Sequence, residues 1–163
     1  MEKYIGKSNT SGNVQLFQSD KEIGELVYQN WYSYKAEILL ANGHSFQLEP
    51  KGIWNSKIEV ICNGETLLFF EMSWSGIVIH ATKNNQPVKL LLKLKGWLSS
   101  DYLLVDEHSA EILKVNCNLK WNLRNPDFEI EAHQNLQDFD RPELLIFTVL
   151  HSINYNIAFM NGY

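Results

Sequence analysis

From Ala36 to Ala132 apolar and polar residues alternate with a period of two, as in strands that bury one face and wet the other. Ile58, Val60 and Cys62 alternate with Lys57, Glu59 and Asn63, and Asn63-Gly64 then gives a type I′ turn signal into Leu68, Phe70 and Met72. Asn42-Gly43 joins Ile38-Leu39-Leu40 to Phe46 and Leu48 in the same way. Asn84-Asn85-Gln86-Pro87 separates Ile77 and Ile79 from Val88, Leu90, Leu92 and Leu94. The longest alternation runs from Ile112 to Arg124. It predicts Leu113, Val115, Cys117, Leu119, Trp121 and Leu123 on a core face, with Lys114, Asn116, Asn118, Lys120, Asn122 and Arg124 in water. With earlier segments at Val14 to Phe17 and Ile23 to Tyr28, the pattern predicts about ten to twelve strands over roughly residues 13–132.

The period changes after Glu143. Leu144 to Met160 is apolar on nearly every side, broken only by Thr148, His151, Ser152, Asn154 and Asn156, and carries no charge. Asp140-Arg-Pro-Glu143 is a start signal with Asp140 as N-cap, and Asn161-Gly162 is a stop, so a helix is predicted over about 141–160. An external helix would show a charged face. A bilayer span would set His151 and two asparagines near mid-membrane without a flanking basic cluster. A core helix on the order of 27 Å long suits the inside of a strand-built barrel. The expected fold is mainly β with one long helix: a closed antiparallel β-barrel around a hydrophobic C-terminal helix, as a single domain over 1–163.

Trp31, Trp54, Trp74, Trp97 and Trp121 recur at intervals of 23, 20, 23 and 24 residues, about one per hairpin. Such intervals suit aromatic-rich strands spaced by geometry. They also suit a propeller or solenoid, but the flanking residues share no motif, so a plain meander is expected.

At 163 residues and 45% hydrophobic, the chain can bury a core without staples. Its net charge of -5 argues against nucleic acid as the main partner. Met1 to Thr10 has no continuous apolar run of the secretory kind, which points to a cytoplasmic protein. Cys62 and Cys117 fall on apolar faces and are expected as buried, reduced thiols.

Chemistry is sparsely signalled. No nucleophile elbow, phosphate loop, dinucleotide fingerprint or zinc motif occurs, and neither catalytic residues, a metal nor a cofactor is expected. Glu129, Glu131, His133, Asp138 and Asp140 are a conceivable cation set, but the strand's alternation makes the glutamates a solvent face. Asp106-Glu107-His108-Ser109 sets acid, base and hydroxyl side by side, as a turn also does. Lys83, Lys89, Lys93 and Lys95 form a basic run with no acidic residue between Lys83 and Leu98, a candidate site for an anionic lipid head group or an acidic partner.

A meander of short hairpins followed by Asp140-Arg-Pro-Glu-Leu-Leu-Ile-Phe147, continuing through Thr-Val-Leu-His-Ser-Ile-Asn-Tyr155, resembles the tubby C-terminal-like superfamily, which includes LURP-one-related proteins and phospholipid scramblases. The resemblance implies a twelve-stranded barrel around a central helix. It also implies a non-enzymatic binding module acting through its outer surface, toward anionic lipid or a protein partner, in the cytoplasm or peripheral to a membrane. Gly52-Ile-Trp54 supports a rival, the hollow lipocalin-like carrier of a small ligand; an enzyme with a site near residues 129–140 is a third reading.

Overall fold

The computed structural model describes residues 1–30, 34–120 and 124–161. Twelve strands form one closed barrel: β1 (Glu2–Ser8), β2 (Val14–Gln18), β3 (Lys21–Tyr28), β4 (Ala36–Leu40), β5 (Ser45–Lys51), β6 (Lys57–Cys62), β7 (Glu65–Ser73), β8 (Gly76–Lys83), β9 (Gln86–Leu94), β10 (Asp101–Val105), β11 (Glu111–Asn118) and β12 (Asp127–Ala132). Each pairs antiparallel with its neighbours in sequence, and β1 closes the ring on β12. The predicted alternation holds where it was strongest: Ile58 and Val60, Leu90 and Leu92, and Leu113, Val115 and Cys117 all point inward. Asn63 and Gly64 take φ values of 51° and 79°, the left-handed pair that a type I′ turn requires. Bulges after Leu16, Val60 and Leu104 add the local bending that closure needs.

Several expectations change. The strands begin at Glu2, not near residue 13, because β1 turns Tyr4 and Gly6 inward and a glycine leaves no hydrophobic mark. Gly6 lies opposite Phe128, whose ring carbon is 3.1 Å from where a Cβ would stand. β11 ends at Asn118, so Leu119 has left the wall and is exposed, while Trp121 and Leu123 are outside the described residues. Trp54, Trp74 and Trp97 sit in connections and not on strands, so their spacing is the length of one up-and-down strand pair with its turns. Trp31 is also outside the described residues.

After β12 a short 3-10 turn leads to α1 (Pro142–Met160). Its residues Leu144 to Tyr155 are buried without a break. Twelve such positions cover every side of a helix, so the barrel surrounds it. α1 is long and apolar enough to cross a membrane, yet it packs among the inward faces of the strands. Buried hydroxyls bond within the helix: Thr148 donates to the Leu144 carbonyl at 2.7 Å and Ser152 to the Val149 carbonyl at 2.8 Å. Asp140 does not cap α1. Arg141 occupies the N-cap, and the Asp140 carboxylate accepts from the Asn85 amide in the β8–β9 turn instead. Asn161 is the C-cap, and Gly162 is outside the described residues.

The direction of α1 gives the barrel two distinct ends. It enters at the rim where β12 finishes and emerges at the rim where the odd-numbered strands finish. The first is the entry rim and the second the exit rim.

Candidate functional site

Among the described residues α1 occupies the barrel interior, where a hollow carrier would hold its ligand. Gly52-Ile-Trp54 lies in the exposed β5–β6 connection.

The four predicted lysines are not brought together. Lys83, at the entry rim, is 3.2 Å from the Asp138 carboxylate and lies over the Phe139 ring. Lys89 and Lys93 stand on the outer face of β9, with Leu91 between them and with His80 and Leu103 as cross-strand neighbours. Lys95 lies past the strand end, in the β9–β10 connection at the exit rim. Lys83 and Lys95 are thus roughly 30 Å apart along the wall. Lys83 and Lys89 do share a cleft of about 220 Å³, but Asp106 and Glu107 line it too, so its charge is mixed.

The wall beside β9 carries a groove of about 530 Å³ over β6 to β9. Phe69 is stacked on His80 at 4.1 Å, and the Lys57 ammonium lies 4.0 Å over the Phe69 ring. His80 Nε2 is 2.9 Å from Glu71 and Lys57 Nζ is 3.1 Å from Glu59, so each of these two side chains already has a carboxylate partner. The sequence signal for this cluster is slight: a polar residue at every second position of neighbouring strands, with register unknown.

The candidate cation residues disperse. Glu129 and Glu131 belong to β12, His133 is 3.6 Å from Glu111, Asp138 holds Lys83 and Asp140 holds the Asn85 amide. Among the described residues no three potential ligands converge. Asp106 to Ser109 is a turn in which Asp106 accepts from the His108 and Ala110 amides. His151 is buried with both ring nitrogens engaged. Its Nε2–H donates to the Tyr34 carbonyl at 3.1 Å, and its Nδ1 accepts from the Tyr28 hydroxyl at 2.8 Å. Tyr28 in turn accepts from Asn154 Nδ2 at 3.1 Å. Burial lowers the His151 pKa from 6.5 to about 4 and raises that of Tyr28, so both stay neutral at pH 7. This chain ties α1 to β3.

The two rims differ in composition. At the exit rim the six connections, 9–13, 29–35, 52–56, 74–75, 95–100 and 119–126, contain Lys35, Lys95, Lys120 and Arg124 and no Asp or Glu. At the entry rim the connections contain Asp20, Asp106, Glu107, Asp138 and Asp140 against Arg141 alone among Lys and Arg. Trp54 is 93% and Trp97 88% exposed, and Trp74 is fully so. This segregation is invisible in the overall charge and appears only when connections are sorted by the end of the barrel they serve.

No protein family, curated protein or solved structure matches the chain.

Proposed function

We propose that the protein is a non-enzymatic binding module of tubby or LURP-one-related kind that works through its outer surface on an anionic partner, as a cytoplasmic protein peripheral to a membrane. The observation that carries this reading is the filled interior: twelve strands closed around a hydrophobic C-terminal helix leave only the outside for recognition. Support for an anionic partner comes from Lys89 and Lys93, which stand on the outer face of β9 with His80 and Leu103 as their partners in register, and from Lys95 just beyond. Each lysine near a negatively charged surface is worth about 1 kcal/mol, so three together give a substantial bias in a chain of net charge -5.

Co-sedimentation with vesicles containing phosphatidylserine tests this. Wild-type protein should bind, and changing Lys89, Lys93 and Lys95 to glutamate should weaken binding at least a hundredfold, about fivefold or more per lysine. Equal binding by both proteins would remove the lysine strip from the account.

A further inference from the structure

Among the described residues, twelve large hydrophobic side chains are exposed, and all but Met1, Ile5 and Leu39 lie at the exit rim. They come from separate parts of the chain. Trp54 projects from the β5–β6 connection, Trp74 from β7–β8 and Trp97 from β9–β10, while Phe159 and Met160 are the emerging end of α1. The helix end and the loops are joined, since the Tyr155 hydroxyl donates to the Asn55 carbonyl at 3.2 Å. The backbone at Trp54 is left-handed, with φ of 60°, in a connection that holds the indole outward. Among the described residues these exposed side chains stand outside the hydrophobic core cluster.

We infer that the exit rim is a bilayer-docking face, on which the tryptophans enter the interface of an anionic membrane while the barrel axis stands on the surface. This rests on the proposed outer-surface binding to an anionic partner and names both the partner and the contact. Tryptophan's amphipathic ring favours the level of the lipid head groups. Lysine and arginine beside apolar tips are the composition that binds anionic lipid, and an acidic residue among them would oppose it. The six exit-rim connections contain no acidic residue, although Asp127 at the start of β12 pairs with Lys120, whereas the entry-rim connections carry five acidic residues against Arg141; the loop charges therefore turn the exit rim toward a negative surface. The apolar tips are carried on several separate loops around a ring, which suits a fluid planar surface better than a single peptide.

Every tryptophan in the chain belongs in sequence to a connection of the exit rim, so indole fluorescence reports on this end alone. The test uses the full chain with phosphatidylcholine vesicles, with and without phosphatidylserine, and with acyl chains brominated at known depth. The expected result is a blue shift and quenching by shallow bromines on the anionic vesicles only. Trp74→Ser and Trp97→Ser should each weaken partition about tenfold while circular dichroism stays unchanged. Loss of binding on changing Lys89 and Lys93 to glutamate, with binding retained and no quenching change in the tryptophan variants, would overturn the rim and leave the lysine strip standing. Vesicle binding by neither route, or concentration-dependent self-association abolished by Trp97→Ser, would overturn the bilayer as the occupant.

Discussion

Acidification should destabilise the barrel through His151. The folded imidazole is enclosed between Tyr28 and the Tyr34 carbonyl, and burial lowers its pKa from 6.5 to about 4, partly offset by the bond to Tyr34. Above pH 6.5 the ring is neutral in both folded and unfolded chains and has no effect on the pH dependence. Between 6.5 and about 4 the unfolded chain takes a proton that the folded one refuses, so stability falls as pH falls through this window. At 1.36 kcal/mol per pH unit, the loss approaches about 3 kcal/mol. Urea unfolding of wild type and His151→Gln at pH 7, 6, 5 and 4 isolates this contribution from that of the carboxylates common to both. The variant should be less stable at pH 7, because losing a partner at a buried polar group costs about 1–3 kcal/mol. The gap between the two proteins should then shrink by about 3 kcal/mol on going to pH 4. A gap that stays constant across the range would refute the buried, neutral histidine.

Two further predictions rest on local geometry. A Cβ at Gly24 would stand 2.4 Å from the Leu39 carbonyl oxygen, whereas one at Gly64 would meet nothing and only strain a φ of 79°. Gly24→Ala should therefore cost about 1–3 kcal/mol or more by thermal unfolding, and Gly64→Ala about 1 kcal/mol; the reverse order would contradict the β3–β4 packing. Burial, with Asp101 adding to it, pushes the Cys117 thiol up to about 12, while Cys62 is only half-buried. Iodoacetamide at pH 8 should label Cys62 first and Cys117 only on unfolding, as peptide mapping would show.

Much of the fold was legible because local chemistry and tertiary need agreed. Asn63-Gly64 demanded a hairpin wherever it lay, and the wholly apolar run after Glu143 demanded an enclosure. What sequence missed depended on long-range partners. β1 has Gly6 where a hydrophobic residue would have announced an inward face, since Phe128 fills that space from across the closure. Asp140 has the type and position of an N-cap, but the turn between β8 and β9 passes close enough to take its carboxylate. Leu119 continued an alternation past the end of its strand, because pattern alone does not say where the wall stops. The lysine run looked continuous, yet β9 separates Lys83 at the end of β8 from Lys95 beyond its own far end, and Asp138 pairs with the first. The tryptophan spacing was visible from the start; its meaning required knowing that alternate turns share an end.

Native-state amide hydrogen exchange of residues 144–155 tests most directly whether the barrel is filled by its own helix. The amides of Leu145 to Ile153 should exchange as slowly as those of the central strands, at the rate set by global unfolding. Exchange as fast as in the exposed connections would place the helix outside, open the interior to a ligand and contradict the account.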